Sequence, residues 1–518
     1  MYHYIENGER ALYDLRGMFA FAIYDKQEDR LFCARDRLGI KPFVYYKEAD
    51  KFIFASEIKM VLEALQSKPA INTAAISQYL HYLYIPYPNT IYDNIFKLPP
   101  AHLLLYEKGE ISIKKYWDIE DYVGDNAEMS ENDILYNLDN LLDESVKLRM
   151  IADVELGSFL SGGIDSSLIL YYMHKNSNKK INTFTLGFNG ASMYDETDDA
   201  KIMAEFFNTH HTEIIINPNA ADLLPKMVDQ FDEPFGNPTA LLIYELTKET
   251  KKYATVALAG DGGDEIFGGY PRYQAIHLAK KLNFVPKPLF ALASKFTDFI
   301  PENSSGNHNL RRLKTFITSL SKPEEKMYED WISYFSDEEL KKLLKSYYPY
   351  KHVVSETWNR LQHDDGILKS SIVDLKTFLP NNLLCYGDIM SMANSFEVRF
   401  PLIDHKVIEF MTSIDTKYRI KDGKTKYLIK KLLTGKVPER IINKPKIGLN
   451  PPMGIWLKKD LKEFIGNYLS KESVEQRGLF NYSFIQQLIY EHETNKRDRS
   501  LFIWSLIVLE EWFRQNDM

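Results

Sequence analysis

Cysteine is scarce in this chain of 518 residues: only Cys33 and Cys385 occur. Two thiols cannot make a disulfide framework, which excludes the small stapled secreted class and suits a reducing cytoplasm. Long apolar runs are missing too. No stretch of about 18 apolar residues could cross a membrane, and no signal peptide opens the chain. The expectation is a cytoplasmic protein off the membrane. An excess of positive charge is also lacking: 64 basic against 72 acidic residues give a net charge of −8, which argues against bulk nucleic-acid binding. The basic cluster from Lys424 to Lys431 lies on a helix-like segment and is expected to be a solvated face. There is no internal repeat and no low-complexity tract. What remains, 45% hydrophobic and 26% charged residues, is ordinary for a globular enzyme.

The pattern along the chain changes once. Residues 10–60 alternate like β-strands: Phe19 to Tyr24, then Arg30 to Ala34, then Phe43 to Tyr46, with Phe52 to Ala55 leading into a helix. Residues 73–84 suit a short helix, and Leu103–Tyr106 and Ile111–Ile113 suit a hairpin. The acidic, aperiodic segment 119–130 is the expected boundary, dividing residues 1–120 from 131–518. Beyond it lies a helix to Met150. Strands at Leu156–Leu160, Asn182–Gly187, Glu213–Ile216 and Thr255–Leu258 then alternate with helices. Alternating βαβα with apolar strands predicts a doubly wound parallel sheet, with ligands at the carboxyl ends of its strands. From residue 274 onward the pattern is mainly helical. His210 and His211, just before a strand, are expected to be structural.

Between the first of those strands and its helix stands Ser161-Gly162-Gly163-Ile164-Asp165-Ser166-Ser167. Paired glycines let backbone N–H groups close on an anion, and the helix start adds its positive end. Ser161, Ser166 and Ser167 offer hydroxyls, and Asp165 can hold magnesium. No lysine follows the glycines, so this is not the loop that grips a transferring γ-phosphate. A pyrophosphate cradle is the better fit. A second glycine motif, Ala259-Gly260-Asp261-Gly262-Gly263-Asp264-Glu265, follows the strand ending at Leu258. Three carboxylates within five residues repel one another unless a cation or donors compensate them.

Five motifs taken in order, SFLSGGIDSSLI, DEPFGNPTAL, ALAGDGGDEIFGGYPRY, MSMANSFEVRFPLIDH and NKPKIGLNPPMGIWL, resemble the synthetase part of glutamine-hydrolysing asparagine synthetases. LRGMFAFAIYD, ARDRLGIKP and FASEIK resemble the later part of that family's glutaminase. The resemblance implies a sheet of the ATP-pyrophosphatase type (adenine nucleotide alpha hydrolase-like) with a helical C-terminal part. A partial N-terminal-nucleophile glutaminase β-sandwich would precede it. It further implies a ligase using ATP and Mg2+ that adenylates L-aspartate, releases pyrophosphate and passes the acyl group to ammonia. Leu160, Leu186, Ala259 and Gly260 would line the adenosine site, and Ser161 to Ser167 the pyrophosphate site. Asp261 stands where the family carries an acidic residue needed to form aspartyl-AMP, and Lys446 matches a lysine that touches phosphate oxygens. Glu397, Arg399, Asp232, Glu233, Asp264 and Glu265 are further candidates for catalysis or substrate contact, and Asp388 for a second magnesium ligand.

The family's glutaminase attacks with a cysteine at the mature N-terminus. Here Met1 precedes Tyr2, and Cys33 lies mid-strand without a free amine beside it. The chain as written is therefore expected to use free ammonia, and to be a fragment or to be completed by another chain; glutamine would serve only with the missing N-terminus present. A half sandwich would expose Phe19, Phe21 and Ile23. Three alternatives stay open: another carboxylate acceptor, such as a sugar acid; a β-lactam-type ring closure, for which Tyr386 is the nearest tyrosine; and a non-catalytic protein derived from a synthetase. Oligomeric state is open, a homodimer being one option.

Overall fold

The computed structural model describes residues 1–48, 51–188, 196–216, 219–282, 284–297, 309–445, 448–449 and 451–518. The first 115 residues build two antiparallel sheets. One runs β1 (Ala20–Asp25), β2 (Arg30–Arg35), then the pair His102–Glu107 and Glu110–Lys115. In the other, β3 (Val44–Glu48) lies between β4 (Lys51–Ala55) and β5 (Ile95–Lys97). The strands His102–Glu107 and Glu110–Lys115 are β6 and β7. Their hairpin turns at Lys108 and Gly109, both at positive φ (52° and 84°), as a two-residue turn matching strand twist requires. Alternate residues of β2 serve two cores. Cys33 faces Phe43, Tyr45, Leu98 and Leu104 between the sheets, while Phe32 and Ala34 join the main core on the other side.

Phe19, Phe21 and Ile23 are half-buried rather than exposed. The helix Tyr2–Asn7 lies over this face, with Tyr4 stacked on Phe32 at 4.6 Å between ring centres, and Leu12 is fully buried.

After the helix Glu131–Arg149 comes a five-stranded sheet built from β8 (Leu156–Phe159), β9 (Asn182–Phe188), β10 (His210–Ile216), β11 (Val256–Leu258) and β12 (Glu397–Arg399). Its order is β10-β9-β8-β11-β12, and every pair is parallel. The chain therefore winds outward in one direction from β8 and in the other from β11, which puts a switch point between those two central strands. His210 and His211 open β10 rather than precede it. β12 departs from the expectation of helix after residue 274: three residues pair with β11 in the register Val256↔Glu397, Leu258↔Arg399. The C-terminal helix Ser500–Gln515 is buried along most of its length, with Trp504 and Trp512 wholly inside. Among the described residues no helix is long and apolar enough to cross a membrane.

Candidate active site

Both glycine loops leave the two strands that flank the switch point. β8 ends at Phe159, and the chain turns through Ser161–Gly163 into the helix Ile164–Lys175. Gly162 has φ +65°, and a β-carbon there would lie 2.5 Å from Asp199 Cβ and 2.7 Å from Ala200 N. Only glycine lets the turn press against the start of the helix Thr197–Phe206. The serines hold the turn's shape. Ser161 Oγ lies 3.1 Å from Ser166 Oγ and accepts from Gly163 N–H at 3.3 Å, and Ser166 Oγ–H donates to Gly163 O at 3.1 Å. Leu160 and Leu186 sit on the neighbouring strand ends, with Leu160 N–H donating to Phe184 O at 2.9 Å.

The second loop crosses the first at close range. A β-carbon on Gly260 would come within 2.9 Å of Asp165 Cβ and 3.0 Å of Ser166 N, and one on Gly263 within 2.6 Å of Asp165 Oδ1. Gly262, at φ +84°, has Ile403 filling the space a side chain would take. Asp165 and Asp264 are thereby brought to one cation, the ammonium of Lys426. Lys426 Nζ pairs with Asp165 Oδ2 and lies 2.6 Å from Asp264 Oδ1. The lysine side chain is 6% exposed. Lys426 is thus no part of a solvated face, contrary to the expectation for 424–431. It caps the helix Tyr427–Leu433 in the left-handed region, at φ 54°, and turns inward. Glu265 is fully buried, accepts Tyr270 O–H at 2.8 Å, and is pushed up to about 7 by burial and the nearby Asp374 charge. Tyr386 is buried with Asp261 and Glu265 close enough to act on its hydroxyl; burial first, then those two charges, raise it well above the usual range.

Other candidates lie elsewhere. Glu397 and Arg399 form an ion pair (Nε···Oε1 2.6 Å) on β12, and Arg399 Nη1 donates to the carbonyls of Arg149 and Ile151. Glu397 pairs with the first residue of β11, at the amino edge of the sheet, where it lines a cavity of about 360 Å3 with Ile151, Asp153 and Met392. That is the opposite edge from the glycine loops. Asp388, expected as a magnesium ligand, instead accepts Lys41 Nζ at 2.5 Å. Asp232 and Glu233 turn to the N-terminal part. Lys59 Nζ lies 3.3 Å from Asp232 Oδ1, Lys97 pairs with Glu233 Oε1, and Ile91 N–H donates to Glu233 Oε2 at 3.3 Å. Lys446 lies outside the described residues. On one side Lys444 is anchored beside the first loop, its Nζ 2.7 Å from Glu196 and 2.9 Å from Asp199, and on the other Leu449 O accepts Thr239 O–H at 3.1 Å.

Residues 137–514 match the asparagine synthase family, and residues 1–117 match the glutamine amidotransferase domain family. The chain belongs to the asparagine synthase family. It is accordingly an enzyme of the ligase class. Asparagine synthetase [glutamine-hydrolyzing] 1 of Bacillus subtilis is 32% identical over 98% of this chain and 79% of its own length. A putative asparagine synthetase of Methanocaldococcus jannaschii is 38% identical over 60% of this chain and 61% of its own. Amidase chyE of Penicillium rubens is 24% identical over 96% of this chain and 80% of its own.

Within this asparagine synthase family chain, both cysteines are held toward the protonated thiol rather than the nucleophilic thiolate. Burial pushes both the Cys33 and Cys385 thiols up to about 12. The residue that sequence reasoning missed is Lys426. Its one local sign is Gly423, at φ +73°, which turns the hairpin Ile420–Thr425 just before it.

Proposed function

We propose that the chain makes L-asparagine from L-aspartate, ATP and ammonia through a β-aspartyl-AMP intermediate, releasing AMP and pyrophosphate. The observation that carries this is the meeting of the two loops at the switch point of a parallel sheet, with Asp165 and Asp264 facing a single cation. The first loop, at the N-terminus of a 12-residue helix, suits the leaving pyrophosphate. Leu160, Leu186, Ala259 and Gly260 are read as the adenosine wall. Asp261, on the second loop, is read as the residue facing the aspartyl carboxylate, and Lys446 as the cation for charge developing on the α-phosphate.

The residues fit a magnesium ion. Asp165 Oδ1 is buried without a hydrogen-bond partner, and the Lys426 ammonium already shows that the paired carboxylates accept a cation. Asp165 and Asp264, rather than Asp388, are the residues we assign to Mg2+. Bound there, the ion would neutralise phosphate charge against the incoming carboxylate. We further read residues 131–518 as an ATP-pyrophosphatase-type domain and 1–120 as part of an N-terminal-nucleophile-type sandwich. Because neither cysteine is poised for attack, the nitrogen source of these 518 residues is read as free ammonia.

A second reading, a carboxylate acceptor other than aspartate, is favoured by the buried Tyr386, whose hydroxyl feels the charges of Asp261 and Glu265. One experiment separates them: incubate the chain with ATP, Mg2+ and ammonium, with and without aspartate, and follow AMP, pyrophosphate and asparagine. Aspartate-dependent pyrophosphate with equal asparagine is expected. Pyrophosphate without asparagine, or dependence on a different carboxylate, would move the assignment to the second reading. In Asp261→Asn the rate should fall by about 10²-fold or more.

A further inference from the structure

We propose that His81, Glu329 and His352 bind one zinc-class divalent ion, which cross-links the helix Thr73–Tyr82 of the N-terminal part to the helices Glu324–Ile332 and Val353–Arg360. Glu329 and His352 stand 23 residues apart, His81 comes from the distant N-terminal part, and the ligating atoms of all three lie within 4.8 Å of one another. His81 Nε2 is 3.4 Å and His352 Nδ1 3.0 Å from the same oxygen, Glu329 Oε1. A tetrahedral site with bonds of about 2.0–2.1 Å has edges of about 3.3 Å, so these are the separations of atoms sharing one ion.

The outer contacts decide which protons are present. His81 Nδ1 lies 2.6 Å from the Phe335 carbonyl, an acceptor only, so Nδ1 carries the hydrogen. In a neutral ring Nε2 then points a lone pair at a carboxylate oxygen, and Nε2 is buried with no hydrogen-bond partner. His352 repeats the arrangement: Nε2 faces Asp337 Oδ2 at 3.2 Å, which makes it the donor and turns the Nδ1 lone pair toward Glu329. Two rings, each fixed from outside by an acceptor and each presenting a bare nitrogen inward, are how metal-bound histidines are held. Asp337 is itself held by Tyr350 O–H at 2.9 Å. Glu329 is 2% exposed and also accepts from Tyr82 and Ser355, with Lys326 at 3.3 Å. Two protons could fill the same gap, but they would place two imidazolium rings 5.3 Å apart beside that lysine. One divalent ion satisfies both nitrogens and the carboxylate together. Two histidines and a carboxylate select zinc over magnesium or calcium.

The test uses the full chain, stripped with a chelator and returned to one equivalent of Zn2+ or Co2+. One equivalent should stay bound through gel filtration, Tm should rise by roughly 3 °C, and Co2+ should give the visible ligand-field absorption of a four-coordinate site. The double variant His81→Gln/His352→Gln should lose both responses. If it does not fold, His352→Ala, at the more exposed ligand, replaces it. Absence of Co2+ absorption and of any Tm response in the unaltered chain would overturn the proposal. So would absorption that survives in the variants, or a cluster whose stability follows pH while ignoring both metals.

Discussion

Lys426 shows how much one side chain can carry. Its backbone sits at φ 54°, in the left-handed region, which a side chain tolerates at a cost of about 1 kcal/mol or more. Two carboxylates repay that strain by holding its ammonium inside. Lys426→Gln takes the buried ammonium away from both Asp165 and Asp264. Breaking a buried pair in this way costs about 3–5 kcal/mol. Lys426→Gln should therefore lower Tm by several degrees in chelator, and added Mg2+ should recover more of the loss in the variant than it adds to the unaltered chain; thermal unfolding with and without Mg2+ measures both. Gly260 is the complementary case. A methyl group there would meet Asp165 Cβ at 2.9 Å and the backbone of Ser166 at 3.0 Å, and backbone cannot swing aside. Gly260→Ala should push the two loops apart, cost about 1–3 kcal/mol of stability, and slow pyrophosphate release by about 10²-fold. Parallel rate and denaturation measurements on the one variant check this.

At the scale of elements, β12 decides what Glu397 can do. A strand in a parallel sheet advances about 3.3 Å per residue, so a side chain level with Val256 lies a full strand length from the loops after Leu258. Glu397 instead holds Arg399, which ties the edge strand to the carbonyls after the helix Glu131–Arg149. Glu397→Gln should leave the pyrophosphate-release rate within about threefold, while Arg399→Met lowers Tm; a larger kinetic loss in the glutamate variant would return it to the chemistry. The same strand marks the reach of sequence reasoning. The loops were legible because their glycines, carboxylates and flanking apolar strands are local and closely spaced. β8 to β11 showed as short apolar runs. β12 has three residues, too few for a period to appear, and it joins the sheet some 140 residues after its neighbour. Lys426 was hidden because a run of basic residues looks the same whether its members face water or turn in. The contacts of Asp388, Asp232 and Glu233 were hidden for another reason: their partners Lys41, Lys59 and Lys97 lie between 136 and 347 residues away.

Those distant partners govern the whole molecule. Lys41–Asp388, Lys59–Asp232, Lys97–Glu233, Arg16–Asp404 and Trp117–Glu409 all join the first 117 residues to the rest. Burying carboxylates at such a junction has a price in pH dependence, and Asp232 exposes it. Burial raises its carboxyl to about 6, although Lys59, through its backbone N–H and its ammonium, pulls the other way. The folded form thus binds a proton more tightly than the unfolded chain, where the ordinary value is 3.8. The associated stability is fully present below about pH 4 and is lost as pH rises through about 6. A shift of about two units corresponds to up to about 3 kcal/mol. Asp232→Asn removes the titration and keeps the shape. Its Tm should lie close to that of the unaltered chain near pH 4, gain on it steadily up to pH 6, and hold a constant lead above that. Thermal unfolding of both proteins across pH 4 to 8 gives the difference directly, free of the titrations they share. A variant that instead trails the unaltered chain by a margin that stays constant from about pH 5 upward would mean that Lys59 holds Asp232 charged throughout, and that the junction is bound by an ion pair rather than by a protonated acid.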